Sequence, residues 1–195
     1  DLPYGRFRDK GVPIDNVSNY SAAQERIVSI YPLEKMKQQK LLFATAQGML
    51  KICDGAEFDV SRKEIAATKL LEEDALITVL PTTVTRTVMV TDDSGQLSFT
   101  GELKQEAQVE EIPVTQLVLQ TNSGMFLRFP LSEIPEKKKG AIGVKGITLS
   151  AKDHLLMVHA MTEGEDAVVL YEDKQVHLNR LKIAKRAGKG TKQRI

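Results

Sequence analysis

Three consecutive lysines, Lys137, Lys138 and Lys139, form the most concentrated group of side chains in this sequence with an obvious binding chemistry. They precede Gly140, and a glycine allows the backbone N–H groups of a loop to approach a phosphate closely. Clustered ammonium groups neutralise phosphate charge and read little base sequence. The loop therefore predicts contact with a polyanion, and the simpler alternative is an ordinary solvated loop.

Basic residues recur in an earlier segment around residues 51–63 and in the stretch 180–195, which has seven basic residues and no acidic one. Gly188 and Gly190 in that stretch predict a loop or tail rather than a core element. The residues predicted to contact phosphate are Lys51, Arg62, Lys63, Arg128, Lys137, Lys138, Lys139, Lys145, Lys182, Lys185, Arg186, Lys189 and Lys192.

The charge of the chain is divided unevenly along its length. Residues 1–120 carry 13 basic and 18 acidic residues, whereas residues 121–195 carry 14 and 8, so a net charge of +1 conceals a basic C-terminal half. Such an asymmetry favours a polyanionic partner contacted mainly through that half. With 42% apolar residues, no apolar run near the ~20 residues of a membrane span, and a single cysteine, the composition favours a globular protein of a reducing compartment.

Catalytic and metal chemistry finds little support in the sequence. His154, His159 and His177 do not share a metal-ligand spacing, and Cys53 stands in a strand-like segment. The acidic run at 72–74 is typical of a turn. We therefore predict no catalytic residue, no metal and no cofactor. Five phenylalanines occupy strand-like positions and are predicted core residues, which argues against binding of single strands or RNA: Phe43, Phe58, Phe99, Phe126 and Phe129.

The elements that must position the cations are β-hairpins. Four segments consist of an apolar strand, a short polar turn and a second apolar strand: 41–52, 88–99, 118–129 and 168–178, with predicted turns at Gly48, Gly95, Gly124 and Gln175. A weaker copy covers residues 7–14. Two further segments, 71–79 and 149–158, each combine a strand end, an acidic turn and a strand. Repeats of ~40–50 residues with four strands each are typical of propeller blades.

The spacing between repeats is irregular, and helix signals are weak. Only 29 residues separate Gly95 from Gly124, which predicts a truncated blade or an unusual connection there. Residues 33–40 and 61–64 are interpreted as turns or single helical turns, and residues 102–111 as a short helix. The 42-residue unit 117–158 is the best-formed repeat and serves as the template for the others.

This template resembles the blade repeat of the C-terminal domain of bacterial type IIA topoisomerase A subunits, the gyrase A and topoisomerase IV A-subunit family. The matching residues are Thr121, Gly124 and Arg128, followed by the 143–149 segment and Asp153; a second match runs from residue 44 to residue 79. The resemblance implies an all-β, propeller-like β-pinwheel whose four-stranded antiparallel blades exchange strands with their neighbours. At this length about four blades fit into a single domain, 1–195, that ends in the basic segment 180–195.

The resemblance also implies a function. Domains of this family are not catalytic; they bind and bend or wrap duplex DNA around a basic rim and present DNA segments to the cleavage core. The implied partners are double-stranded DNA, the remainder of the A subunit, and the ATPase B subunit of an ATP-dependent type II topoisomerase, which is reached through that remainder. The implied location is the bacterial cytoplasm, at the nucleoid, with no membrane partner. The first residues, 1–4, include neither an initiator Met nor a signal peptide, which predicts a piece of a longer protein.

Gyrase A subunits carry a Gln-Arg-Arg-Gly-Gly-Lys-Gly box, and the nearest match here is residues 184–190, Ala-Lys-Arg-Ala-Gly-Lys-Gly. Three of its positions differ, and it lies at the end of the chain rather than in the first blade. These departures favour a topoisomerase IV-like subunit. Two alternatives stay open: a protein-interaction propeller, which the acidic N-terminal half favours, and an enzyme with a small-molecule site in a propeller channel.

Overall fold

The computed structural model describes residues 5–16, 18–62, 64–91 and 105–193, and most of its regular structure is antiparallel β-strand. Helix within these ranges is limited to the single turn α1 (Leu33–Met36) and to short 3-10 turns at Ile14–Asn16, Gly55–Phe58, Leu131–Glu133 and Leu178–Arg180. The strands are β1 (Lys40–Thr45), β2 (Met49–Asp54), β3 (Leu76–Pro81), β4 (Thr83–Thr91), β5 (Gln105–Thr121), β6 (Met125–Pro130), β7 (Val144–Lys145), β8 (Leu155–Thr162), β9 (Val168–Tyr171), β10 (Lys174–His177) and β11 (Thr191–Lys192).

Two complete four-stranded blades form the centre of the described structure. Blade 1 has the strand order β3-β1-β2-β7, and blade 2 has the order β8-β5-β6-β11. A third hairpin, β9 with β10, forms a separate two-stranded sheet. The predicted all-β class with four-stranded antiparallel blades is confirmed, and the described residues contain two complete blades and one hairpin where about four blades were expected.

The outer strand of each blade comes from the following repeat. β7 follows β6 in the chain, yet it pairs with β2, so that Lys145 lies opposite Met49. In the same way β11 follows β10 and pairs with β6, placing Lys192 opposite Met125. The template unit 117–158 is therefore not one blade, because its third strand belongs to the blade before it. This is the strand exchange that the family resemblance implied.

The main core lies between the facing sheets of the two blades. It contains Leu42 and Leu50 from blade 1 and Leu117, Leu127 and Phe129 from blade 2, each at most 2% exposed. Burial of a side chain of this size contributes about 1.5–3 kcal/mol. The apolar content of the two hairpins therefore fixes how the blades stack, and the stacking in turn fixes where their loops emerge.

The Thr-x-x-Gly pattern of each blade has a structural role at the hairpin turn. Gly48 and Gly124 adopt φ values of 75° and 77°, which a residue with a side chain rarely adopts. The Thr45 hydroxyl accepts a hydrogen bond from Met49 N at 3.1 Å, and the Thr121 hydroxyl accepts one from Met125 N at 3.2 Å. The turn is thus closed by the same two residue types in both blades, which explains why the pattern repeats.

Several predicted elements differ from the structure. The turn of the third hairpin lies at Glu172 and Asp173, both with positive φ, whereas the predicted turn residue Gln175 lies in β10. Residues 7–14 form no strand, and the described residues of the 61–64 segment form no helical turn. The single helical turn expected within residues 33–40 is confirmed. The predicted hairpin 88–99 and its Gly95 lie largely outside the described residues.

The predicted helix 102–111 is wrong wherever it is described, because β5 begins at residue 105. β5 is 17 residues long, and its first half pairs with β4 from Thr91↔Gln105 to Thr83↔Pro113. Around Arg86 and Val109 the two strands are exposed on both faces, so they form a ribbon that projects from the blades. This ribbon occupies the place in the sequence where a truncated blade was predicted.

Candidate nucleic-acid interface

Two basic loops occupy equivalent positions in the two blades. We name residues 135–145 the first basic loop and residues 182–192 the second basic loop. Each ends in the exchanged strand of its blade, since Lys145 pairs with Met49 and Lys192 with Met125, the residues that follow the turn glycines. The segment 180–195 is therefore not a free tail: its described residues are the counterpart, one blade later, of the loop that carries the three lysines.

A glutamate anchors each basic loop at the same place. Glu57 Oε2 accepts a hydrogen bond from the backbone N–H of Lys139 at 3.0 Å, and Glu133 Oε2 accepts one from the backbone N–H of Arg186 at 2.8 Å. Both glutamates lie in the 3-10 turn after the second strand of a blade hairpin. Neither glutamate was predicted to have a role, although each stands nine residues after its turn glycine.

The three consecutive lysines of the first basic loop differ in the exposure of their side chains. The Lys138 side chain is 87% exposed, with its Nζ 3.6 Å from Glu57 Oε1. Lys139 is half-buried and its Nζ donates to the Glu57 backbone oxygen at 2.8 Å, while Lys137 is also half-buried. The backbone N–H of Lys139, with further help from nearby lysine charge, holds the pKa of Glu57 below its usual value. The carboxylate therefore stays ionised and fixes the loop, and Lys138 is the lysine of the three most available to a ligand.

The second basic loop presents most of its cations to solvent. Its Arg186 is half-buried, and Nη1 donates to the backbone oxygen of Lys145 at 2.6 Å, which joins the end of the first basic loop to the second. The two loops are therefore in direct contact. Their exposed lysines are Lys138, Lys145, Lys182, Lys185, Lys189 and Lys192.

Lys51 is a correction to the predicted contact set. It is only 1% exposed, and its Nζ lies 5.1 Å from the centroid of the Phe43 ring across the hairpin. Burial lowers the pKa of Lys51 below its usual value. An ammonium enclosed in this way cannot reach a DNA phosphate, because the protein itself surrounds it. The burial of Lys51 could not be predicted from the strand pattern, because lysines are almost always placed on the exposed face of a strand.

Arg128 is also occupied by the protein. Its Nε donates to Gln116 Oε1 at 2.6 Å, and its Nη1 donates to the backbone oxygens of Asn179 and Leu181. The half-buried guanidinium thus holds the chain that leads into the second basic loop. Arg62 is exposed, whereas Lys63 lies outside the described residues.

The remaining chemical expectations concern aromatic residues, metals and membranes. Phe43, Phe126 and Phe129 are at most 3% exposed, as expected for core residues, and Phe58 stacks on Phe43 at 5.7 Å. Among the residues that the structure describes, no group of three His, Cys, Asp or Glu side chains could hold a metal ion. Across the same residues, no helix has the length and apolar character needed to span a membrane.

Comparison with known proteins agrees with the blade assignment. A family model described as "DNA gyrase C-terminal domain, beta-propeller" matches residues 39–83 and 115–159. These two ranges contain the hairpin of blade 1 with β3 and the hairpin of blade 2 with β8. Each matched range therefore contains three strands of one blade, and the second range also contains β7, the outer strand of blade 1.

Two curated relatives match nearly the whole chain. The A subunit of DNA topoisomerase 4 from Staphylococcus epidermidis (strain ATCC 12228 / FDA PCI 1200) is 25% identical over 192 residues, covering 95% of this chain and 20% of that protein. The A subunit of DNA gyrase from Campylobacter jejuni subsp. jejuni serotype O:2 is 26% identical over 210 residues, covering 97% and 23%. The chain thus spans less than a quarter of either relative.

A solved structure supports the fold independently. The crystal structure of the C-terminal domain of DNA topoisomerase IV aligns with a TM-score of 0.71 at 24% identity, covering 97% of this chain and 52% of that one. The predicted resemblance is confirmed: this chain has the fold of that domain, and its residues 39–83 and 115–159 match the family of DNA gyrase C-terminal domain beta-propellers.

Proposed function

We propose that this chain binds and bends duplex DNA through its two basic loops, with little sequence preference. The observation that carries the proposal is the repetition of one device in successive blades. Each loop emerges at the same position, is pinned by an equivalent glutamate, and presents exposed lysines. A repeated set of phosphate contacts along a stack of blades suits a DNA backbone that curves around the stack.

The loops favour backbone contact over base readout. Their exposed cations are lysines, which act as mobile point charges towards phosphate and lack the fixed fork that arginine uses to read guanine. Phe43, Phe126 and Phe129 are buried, so these three rings cannot stack on unpaired bases. Both features favour a double-stranded ligand that is recognised by charge and shape.

In the parent protein the chain would act as a single, non-catalytic C-terminal domain, residues 1–195, of a type IIA topoisomerase A subunit. It would present DNA segments to the cleavage core and work with the ATPase B subunit of an ATP-dependent enzyme through the remainder of its own polypeptide. This places it in the bacterial cytoplasm, at the nucleoid. The departures of residues 184–190 from the gyrase box favour a topoisomerase IV-like parent.

The test is the salt dependence of binding to a duplex of random sequence. The logarithm of the association constant should fall linearly with the logarithm of salt concentration, with a slope near −0.9 for each phosphate neutralised. Combined replacement of Lys138, Lys185 and Lys189 by glutamine should make that slope shallower by about 2–3 units. Unchanged affinity between about 50 and 200 mM salt would contradict the proposed binding to the phosphate backbone of DNA.

The matched control replaces three exposed cations elsewhere, Arg6, Arg8 and Lys10. This triple variant loses the same charge from the acidic half of the chain. It should change the slope by less than one unit, because these residues do not belong to the basic loops. An equal loss in both triple variants would mean that net charge, and not the loops, governs binding.

A protein-interaction role is the second candidate, and the projecting β4–β5 ribbon favours it. Val109 is 67% exposed, and Glu110 and Glu111 beside it are exposed as well. A two-stranded ribbon exposed on both faces is marginally stable in water, which favours a partner that covers it. Complete absence of duplex binding by the intact chain would promote this candidate.

A further inference from the structure

Lys51 is the most unusual ionisable residue in the described structure, since it is a lysine among the most buried side chains. Its Nζ makes three hydrogen bonds, all to backbone carbonyls of the first basic loop: Lys139 O at 2.5 Å, Ala141 O at 3.1 Å and Lys138 O at 3.3 Å. An ammonium has three donors, so the loop satisfies all of them. The loop is thus folded around a cation that belongs to a different segment of the chain.

This arrangement is not a general feature of the blades. Met49 and Met125 occupy equivalent positions, so the counterpart of Lys51 two residues later is Leu127. Leu127 is 2% exposed and packs in the core between the blades. Blade 2 therefore forms its basic loop without a cation at this position. Its Arg128, one residue further along, donates instead to Asn179 and Leu181, which precede the loop.

Burying a lysine without a carboxylate at hydrogen-bond distance is energetically costly. Three carbonyl dipoles and the face of the Phe43 ring offset that cost, because each presents negative charge density to the ammonium. The offset exists only when residues 138–141 adopt their observed conformation. Opening of the loop would leave the ammonium inside blade 1 without its acceptors.

We propose that Lys51 is a positioning residue of the first basic loop: its buried ammonium holds residues 138–141 in the shape that presents the exposed Lys138 to a DNA phosphate. The loop-ordering part stands on the geometry alone, whereas the DNA part rests on the proposed function. Lys51 itself touches no ligand. It increases affinity because it reduces the conformational entropy that the loop loses on binding.

The first experiment tests loop order without DNA. Lys51→Met keeps a long apolar stem but removes the ammonium, and limited digestion with trypsin reports on loop opening because the loop itself contains cleavage sites. Cleavage after Lys137, Lys138 and Lys139 should accelerate about tenfold in the folded variant, while cleavage in the second basic loop stays unchanged. The control Leu127→Met introduces the same residue at the equivalent position of blade 2 and should leave the first loop resistant. Equal cleavage rates in wild type and Lys51→Met would overturn the proposal.

The second experiment separates positioning from the DNA proposal by a double-mutant cycle. In the wild-type background, Lys51→Met should weaken duplex binding about five- to tenfold. In a background that already carries Lys138→Gln, it should have much less effect, because the most exposed lysine that the ordered loop presents is then gone. Equal losses in both backgrounds would assign Lys51 a merely structural role. If the wild type binds no duplex, the proposed function fails, and the digestion result still decides the loop-ordering part.

A third measurement covers the case in which Lys51→Met does not fold. In wild-type protein labelled with 15N-lysine, an ammonium enclosed by three carbonyls exchanges its protons slowly and gives a resolved N–H signal near neutral pH, unlike exposed lysines. We expect one such signal, and Lys51→Arg, if folded, should abolish it. Its absence from the wild-type spectrum would overturn the proposal regardless of how the variants behave.

Discussion

Blade 1 and blade 2 carry equivalent basic loops at equivalent positions, but different kinds of contact support the two loops. In blade 1 the loop closes around the buried Lys51 ammonium, which reaches it from within. In blade 2 the loop is held laterally by residues that continue from the first loop. Ala187 N donates to Gly146 O at 2.8 Å, Thr148 N donates to Gly188 O at 2.9 Å, and the Thr148 hydroxyl donates to Ala187 O at 2.7 Å.

The two blades therefore share the position of the basic loop but not the hydrogen bonds that hold it. Lateral support makes the second loop depend on the first, because Gly146 and Thr148 follow directly from β7. Internal support makes the first loop depend on its own blade. Loss of the contacts made by Gly146 and Thr148 should therefore open the second loop, whereas opening of residues 138–141 alone should stay local to the first.

The largest expected effects come from glycines at which both blades make the same close contact. A Cβ on Gly143 would lie 2.5 Å from Leu50 O, and a Cβ on Gly190 would lie 2.8 Å from Phe126 O. Gly190 also has φ +75°. Because backbone atoms cannot move aside cheaply, Gly143→Ala and Gly190→Ala should each lower the free energy of unfolding by about 2–4 kcal/mol, measured by urea denaturation.

Gly140→Ala is the control for this pair. It makes the same change within the first basic loop, but a Cβ there meets nothing within 4 Å and the backbone needs no positive φ. Its effect should stay within about 0.5 kcal/mol. If Gly143→Ala were as well tolerated as Gly140→Ala, the close seating of the exchanged strand on β2 would be wrong.

A smaller effect is expected at the aspartates that close the hairpin turns. Asp153 accepts hydrogen bonds from Ser123 N at 3.0 Å, from the Ser123 hydroxyl at 2.5 Å and from His154 N at 3.0 Å. Asp74 accepts from Gln47 N and Ala75 N, while its Oδ2 is buried without a partner among the described atoms. Asp153→Asn should therefore cost about 1.5–3 kcal/mol and Asp74→Asn less.

The pH dependence of the free energy of unfolding gives a second test of the role of Asp153. Burial tends to raise the pKa of Asp153, but hydrogen bonds from Ser123, Thr121 and His154 prevail and hold that pKa below its usual value. The stabilisation is therefore complete above the unfolded-state pKa of about 3.9 and is lost as the pH falls through the lower folded-state value. Unfolding measured from pH 6 to pH 2 should show this loss in wild type, and the difference between wild type and Asp153→Asn should shrink in acid. A constant difference would contradict the role assigned to the carboxylate.

Much of the architecture could be predicted from the sequence, because it depends on local patterns. Gly48 and Gly124 mark hairpin turns through their requirement for positive φ, and alternating apolar residues mark the strands beside them. The pairing of β7 with β2 could not be derived from these local signals, since both partners are short and lie about 95 residues apart. That exchange entered the prediction only through the family resemblance.

The candidate site was predicted at the level of loops but not at the level of individual residues. Lysine density identifies both loops, whereas Lys51 and Arg128 look the same in sequence as exposed cations on strands. Their engagement with loop carbonyls is a tertiary property, which depends on chain segments that are distant in sequence. The anchoring residues Glu57 and Glu133 carried a positional signal, their constant spacing from the turn glycine, that charge counting does not detect.

The smallest expected effect tests the lateral support of the second basic loop directly. Thr148→Val preserves the size of a half-buried side chain and removes the hydroxyl that donates to Ala187 O, which should cost about 1 kcal/mol of unfolding free energy. Trypsin cleavage after Lys185 and Arg186 should increase a few-fold, while cleavage in the first basic loop stays constant because Lys51 holds it from within. Thr115→Val is the control, since that half-buried hydroxyl lies 3.5 Å from Met161 O and belongs to neither loop. If Thr148→Val opened both loops together, the two supports would form one unit and the contrast between the blades would disappear.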